Sequence, residues 1–252
     1  MSAPAVPTEV ASVLRRYSEL AGQVSEKYGP GSQAVVFVHY EELLAARSML
    51  LTRREDATLL SRVDTLRTLI QRMYSASVPQ VPGQMPSRLL RRDPPLIEYD
   101  RGHFEQRYAK VCDVVGADVI AGQRCRDPFG AIRPRTSYMF VVTDEAELRI
   151  WGRPFDLPDL MFGRNRATVR DVPVAHPMLV PERLRVSAAG EMVLLGSAKV
   201  EMVVANTKSG HFRPPPESAA VVRDVCREMW DLDDADIDVF TLFSHDSGQE
   251  RH

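Results

Sequence analysis

The amino-acid sequence predicts an α+β protein with a mainly antiparallel sheet in its second half and an N-terminal helical subdomain packed on or beside that sheet. Apolar residues recur three and four positions apart over most of the first 76 residues, whereas short β-branched and apolar runs dominate from Ser137 onward. We therefore predict a helical subdomain over 1–76, a proline-rich linker or arm over 77–100, and an α+β domain over 101–252.

Three helices are predicted before the linker. The first begins at Thr8, a residue type that caps helices, and ends at a Gly29-Pro30-Gly31 stop. The second covers roughly Ser32 to Thr52, although the apolar run Ala34–Val38 is by itself compatible with a strand. The third carries its apolar stripe from Leu59 to Met73.

The linker is predicted from proline density, because proline continues neither a helix nor a central strand. The prolines concerned are Pro79, Pro82, Pro86, Pro94 and Pro95. Beyond them we predict one helix over Arg101–Val115, a hairpin of Ser137–Thr143 and Glu147–Trp151, and a long polar loop over Pro154–Asp171. The remaining predicted elements are strands at Met192–Leu195, Lys199–Ala205 and Ile237–Phe243, and a helix over Pro216–Trp230.

Composition excludes several classes of protein. The formal net charge of −2 argues against a nucleic-acid binder, which usually carries a basic surplus. No apolar run approaches ~18 residues and no secretory signal is recognisable, so we predict no membrane partner and a cytoplasmic location. The three cysteines form no C-x-x-C pair, which argues against a disulfide framework and a zinc site and favours buried thiols.

The stretch Val203–Pro214 looks most like a functional site. It reads as a strand that breaks, through Asn206 and a Ser209-Gly210-His211 turn, into the following helix. Backbone N–H groups at a helix N-terminus suit an anion such as a phosphate. The alternative is structural, with Gly210 supplying a left-handed turn and Ser209 capping backbone groups.

The polar side chains near this turn define a candidate chemistry. His211 and Glu191 are a candidate acid–base pair, because a carboxylate can orient an imidazole that works near neutral pH. Ser209 is a candidate nucleophile or phosphate hydrogen-bond donor, and His176 is a further catalytic candidate. The candidate ligand-binding residues are Asn206, Lys208, Gly210, Arg213, Arg164 and Arg166, of which the cationic ones can neutralise a pyrophosphate. No pair has the i, i+4 spacing of a helical metal motif, so no metal is expected.

Three sequence blocks carry a family resemblance: His176, then Ala189-Gly190-Glu191, then Asn206 with Ser209-Gly210-His211-Phe212-Arg213-Pro214. Over roughly 137–243 the chain resembles a domain shared by plant IQ-motif-containing (IQM) calmodulin-binding proteins and the C-termini of many bacterial proteins. The family's Ser-Ser-Phe after the histidine is replaced here by Pro177-Met178-Leu179. No IQ motif is present, so the resemblance implies a shared fold rather than calmodulin binding.

Together the residues favour a transferase-type enzyme that acts on a phosphate-bearing, nucleotide-like small molecule. Its cofactor is left open, with a nucleotide among the candidates, and its oligomeric state is not indicated. Two alternatives stay open at this point: a non-catalytic module that binds a ligand or a partner, and a toxin-like effector.

Overall fold

The computed structural model describes residues 8–77, 87–154 and 167–241, and it confirms the α+β class with a mostly antiparallel sheet. The chain divides into two compact units, Met1–Val78 and Pro79–His252. None of the helices in the described ranges has the length and apolar character that a membrane span requires.

The described part of the N-terminal unit, residues 8–77, contains three helices: α1 (Thr8–Tyr28), α2 (Gln33–Leu50) and α3 (Ala57–Ser77). All three predicted helices are confirmed. Helix α3 is capped by Asp56, whose Oδ1 accepts hydrogen bonds from the N–H groups of Thr58 and Leu59 at 3.0 and 3.1 Å. A buried ion pair joins two helices: the Glu42 carboxylate of α2 accepts two hydrogen bonds from the Arg62 guanidinium of α3.

The second unit is built on a sheet. Its described strands are β1 (Arg88–Leu90), β2 (Leu96–Glu98), β3 (Val119–Ala121), β4 (Ser137–Thr143), β5 (Leu148–Trp151), β8 (Arg185–Gly196), β9 (Val200–Asn206) and β10 (Ile237–Phe240). All described pairings are antiparallel except that of β10 with β9. A small separate hairpin is formed by β6 (Thr168–Val169) and β7 (Val172–Pro173).

The described helices of this unit are α4 (Arg101–Arg107), α5 (Ala109–Gly116), α6 (Gln123–Arg126) and α7 (Ser218–Trp230). Short 3-10 turns cover Pro128–Gly130, His176–Leu179 and Asp234–Asp236. The His176–Leu179 turn and the α4–α5 region contribute side chains to one apolar core, together with Phe212. Helix α7 contributes side chains to a second core, on the opposite face of the sheet.

Strand β8 pairs with three other strands: β4 lies along one of its edges, and β2 and β9 share the other edge. It pairs with β4 over Val186–Val193, whereas β2 pairs with its start and β9 with Glu191–Gly196. Residues 187–190 therefore lie between the pairing segments of β2 and β9. The backbone there is closely approached: a Cβ on Gly190 would lie 1.9 Å from the carbonyl oxygen of Asn206.

Several elements differ from the sequence-based predictions. Strand β8 begins at Arg185 rather than Met192, and the single helix expected over Arg101–Val115 is broken at Tyr108. Part of the stretch expected as a linker forms β1 and β2, because its prolines fall outside those two short strands. The predicted loop over Pro154–Asp171 lies mostly outside the described residues.

Candidate functional site

Glu191 lies on β8 directly opposite Asn206 of β9 and Met139 of β4. Side chains of directly paired residues project from the same face of a sheet, and Met139 belongs to the core that contains Phe212. Glu191, Asn206 and the turn carrying His211 therefore share one side of the sheet, as the expectation of a common site requires.

Asn206 holds the backbone around this position. Its Oδ1 accepts a hydrogen bond of 2.8 Å from the Lys208 N–H and one of 3.4 Å from the Glu191 N–H. The end of β9 is thereby tied to β8, and Lys208 is kept close enough to Glu191 for each charge to affect the other's pKa. The buried Glu191 and the partly buried Lys208 therefore interact electrostatically.

The Glu191 carboxyl is only 7 % exposed, and its Oε2 atom is buried without a hydrogen-bond partner. Burial raises the pKa of this carboxyl to about 7, although the nearby Lys208 charge and a hydrogen bond with Asn206 act in the opposite direction. Burial also lowers the pKa of Lys208. Near neutral pH, Glu191 can therefore both give and take a proton.

Two buried or largely buried histidines lie on the same side of the sheet. His176 is 5 % exposed, and its Nε2 atom lies 3.0 Å from the carbonyl oxygen of Gly190, to which it donates a hydrogen bond. Burial lowers the pKa of His176 to about 4 and that of His211 to about 3, so both rings are neutral at pH 7. Neighbouring charges act in the same direction as burial: His176 lowers the pKa of His211, and Lys208 lowers that of His176.

His211 is paired with Tyr108 rather than with Glu191. The Tyr108 hydroxyl lies 2.9 Å from His211 Nε2, and the Ser87 hydroxyl donates a hydrogen bond to the His211 carbonyl oxygen. Within the described ranges, no hydrogen bond or ion pair joins Glu191 to His211. The role of these two residues as a direct acid–base pair stays a prediction, and Tyr108 is a residue of the site that sequence reasoning missed.

The turn after β9 is held by its own hydrogen bonds. The Ser209 hydroxyl oxygen accepts from the Phe212 N–H at 3.2 Å, and the Ser209 carbonyl oxygen accepts from the Arg213 N–H at 2.7 Å. Arg213 has the left-handed backbone of the turn, with φ of 49°. Helix α7 begins only at Ser218, after three prolines, so the turn does not lie at the helix N-terminus as expected.

The other predicted site residues are placed as follows. Gly210 lies inside the turn, next to Ser209, which is 2 % exposed. Arg164 and Arg166 lie outside the described residues. Among the residues that are described, no group of three or more histidine, cysteine, aspartate and glutamate side chains is arranged to hold a metal ion.

A cavity of about 230 Å³ lies elsewhere, at the end of the β4–β5 hairpin. Its charged lining residues include Arg149 and Arg183, which form ion pairs with Glu182 and with Asp144 and Glu145. Because these charges compensate each other, we attribute no ligand to this cavity.

Comparisons of the chain with protein-family models, with curated proteins and with solved structures give no match. The function has to be argued from the chemistry of Glu191, Lys208 and the two neutral histidines.

Proposed function

We propose that this chain is a group-transfer enzyme acting on a phosphate-bearing, nucleotide-like small molecule, with Glu191 as its acid–base group and Lys208 as the cation that binds the phosphate. The observation that carries the proposal is the unpartnered Oε2 atom of the buried Glu191 carboxyl. Buried polar atoms are nearly always hydrogen-bonded, and leaving one unpaired costs about 1–3 kcal/mol. An atom in this state is available to a substrate.

The pKa of Glu191 suits proton transfer. A general acid or base is most effective when its pKa is close to the working pH, and burial raises the pKa of this carboxyl to about 7. In the proposed step, Glu191 takes the proton from an acceptor hydroxyl or amine while that atom's lone pair forms the new bond. The bond from the transferred group to the phosphate-bearing leaving group breaks, and its electron pair goes to the leaving oxygen.

Lys208 supplies the positive charge near that leaving oxygen. Its pKa is lowered by burial and raised by the Glu191 charge, so the ammonium is stabilised by a negatively charged neighbour. A phosphate bound beside Lys208 would supply such a charge. The two hydrogen bonds of Asn206 hold the backbone of Glu191 and that of Lys208 next to each other.

A non-catalytic binding module is the second candidate. It is favoured by the turn itself, in which Ser209 and His211 are already engaged with Phe212 and Tyr108. In that function the same Lys208 binds an anion and Glu191 exchanges no proton. The proposed resemblance of residues 137–243 to the domain of IQ-motif-containing proteins concerns the fold, so it favours neither of the two functions.

The first experiment identifies a ligand. The full chain is screened by thermal denaturation against nucleotides, dinucleotides and phosphorylated cofactors, because a ligand at about 100 times its Kd adds about 2.7 kcal/mol of stability. Stabilisation by a phosphate-bearing compound supports the proposal. A wild-type protein stabilised only by phosphate-free compounds contradicts it.

The second experiment separates the two functions. With the ligand identified, E191Q should retain binding and lose turnover, whereas K208M should lose binding. The matched controls are E228Q and K110M, which change exposed residues of α7 and α5. Full turnover in E191Q would exclude Glu191 as the acid–base group, and binding without turnover in the wild type would favour the binding module.

A further inference from the structure

Tyr108 lies at the break between α4 and α5 and reaches His211 across 103 residues of sequence. Its hydroxyl is 2.9 Å from His211 Nε2, and the two rings meet edge to face with centroids 5.7 Å apart. Tyr108 is only 4 % exposed. The contact is therefore a buried hydrogen bond of ordinary length and not a surface encounter.

The protonation states of the two partners allow the phenol to donate this hydrogen bond. Burial raises the pKa of Tyr108, so the phenol keeps its proton and can donate it. A neutral imidazole has one donor and one acceptor nitrogen. Burial and the nearby His176, Arg107 and His103 all lower the pKa of His211, so the ring is neutral and its Nε2 atom can accept a hydrogen bond from the phenol.

Tyr99 lies beside both rings of this contact. Its ring lies 6.5 Å from that of Tyr108 and 5.9 Å from that of His211, centroid to centroid. Burial raises the pKa of both tyrosines, so both phenols keep their protons near neutral pH. In the described part of the chain, the Tyr108 hydroxyl has His211 Nε2 as a side-chain hydrogen-bond partner, which can accept the phenol's proton.

We propose that Tyr108 is a positioning residue that holds His211 as the Nδ1–H tautomer, so that His211 serves the reaction as a neutral hydrogen-bond donor through Nδ1. The catalytic consequence rests on the function proposed above, in which Glu191 moves the proton. A neutral donor can stabilise negative charge that develops on a substrate oxygen without being deprotonated itself. Glu191 and His211 then have different roles: Glu191 exchanges a proton with the substrate, whereas His211 donates a hydrogen bond and keeps its proton.

The test reads the tautomer directly and needs no substrate. Histidine labelled with ¹⁵N is incorporated into the full chain, and long-range ¹H–¹⁵N correlations are recorded near neutral pH, with the His211 signals assigned by their absence in H211Q. The wild type should show the Nδ1–H pattern for His211. Y108F should lose that pattern, while Y138F should keep it, because the Tyr138 hydroxyl bonds the Arg133 N–H instead.

The wild-type spectrum tests the tautomer of His211 even if Y108F does not fold. An Nε2–H pattern for His211 in the wild type overturns the proposal, and so does a folded Y108F with unchanged His211 signals. These outcomes are independent of turnover. Failure of the enzyme hypothesis in E191Q leaves the tautomer result standing, and failure of the tautomer result leaves the Glu191 chemistry standing.

Discussion

Glu42 of the helical unit and Glu191 of the sheet unit are both buried carboxyls, 0 % and 7 % exposed, yet their surroundings are opposite. Glu42 accepts hydrogen bonds of 2.7 and 2.8 Å from Arg62. Burial acts to raise the pKa of Glu42, but hydrogen bonds with His39 and Arg62 and their charges outweigh it and the pKa is lowered. Glu191 has an unpartnered oxygen, and burial raises its pKa to about 7.

The comparison separates a carboxyl whose charge is compensated by its neighbours from one whose charge is compensated only in part. Burial penalises the ionised form of both, and the difference lies in what compensates the charge. His39 and a guanidinium that binds both oxygens keep Glu42 ionised, and the guanidinium leaves it no free oxygen. The asparagine and lysine beside Glu191 compensate it only in part, so this carboxyl stays able to exchange a proton near neutral pH.

The largest expected effect comes from removing the compensation of Glu42. R62M leaves that carboxylate buried without its main partner, and we expect a loss of about 3–5 kcal/mol in the free energy of unfolding. The measurement is urea denaturation of the full chain. R67M, on the same helix, removes an exposed pair with Asp64 and should cost under about 1 kcal/mol. Equal losses in the two variants would contradict a structural role for the Glu42 pair.

The next largest effect is expected at Glu191, whose contribution to the free energy of unfolding changes with pH in the opposite direction to that of Glu42. Because folding raises its pKa from 4.5 to about 7, the folded state binds this proton more tightly than the unfolded chain does. The associated stability is fully present below pH 4.5 and is lost as the pH rises through about 7, a difference on the order of 3 kcal/mol.

E191Q should remove this pH dependence, so that its free energy of unfolding exceeds that of the wild type at about pH 8.5 by more than at about pH 5. E228Q is the control and should follow the wild type. A pH slope in E191Q equal to that of the wild type would show that Glu191 is ionised in the folded state. Glu42 behaves in the opposite way: its stability is present above pH 4.5 and is lost as the pH falls.

The third prediction concerns the backbone that presents Glu191. In G190A the new methyl would lie 1.9 Å from the Asn206 carbonyl oxygen, so β9 must shift away from β8 at a cost of about 1–3 kcal/mol. The shift should also separate Glu191 from Lys208 and reduce ligand binding. G116A, where the methyl meets open space, should leave both stability and binding unchanged. If G190A has the stability and ligand binding of the wild type, the Asn206 carbonyl oxygen does not approach Gly190 this closely.

The smallest expected effect is at Ser209. If its hydroxyl only holds the turn through the Phe212 N–H, S209A costs about 1 kcal/mol and keeps turnover. S61A, at an exposed position of α3, is the control for stability. Complete loss of turnover with unchanged stability would instead identify Ser209 as the nucleophile that its place in the sequence suggested.

Much of the fold was predictable from local pattern. The apolar spacing of α1 predicted both of its ends, Thr8 and Tyr28, because an amphipathic helix with a glycine stop leaves a clear periodic signal. The first half of β8 was not predictable, since Ser187-Ala188-Ala189-Gly190 has weak strand propensity and is held extended by pairing with β4. Packing explains the glycine in this segment, because Gly190 has no Cβ that would collide with the Asn206 carbonyl oxygen.

The candidate site was predictable only in part. Glu191, Asn206 and Lys208 lie on or directly after two strands that are adjacent in the sequence, so a local sequence motif is enough to bring them together. Tyr108 could not be found in this way, because its contact with His211 depends on where α4 ends and how it packs on the sheet. Nor could the sequence reveal that α7 begins beyond the turn, which separates the turn from the helix dipole.

All three cysteines of the chain, Cys112, Cys125 and Cys226, are buried, and burial raises the pKa of their thiols to about 11, 12 and 12. At neutral pH on the order of one Cys112 thiol in ten thousand is then a thiolate, the form that reacts with alkylating reagents. A single cysteine introduced on the surface should therefore react with a maleimide fluorophore or spin label far faster than the native thiols. The native sequence already provides the background needed for site-specific labelling of this protein.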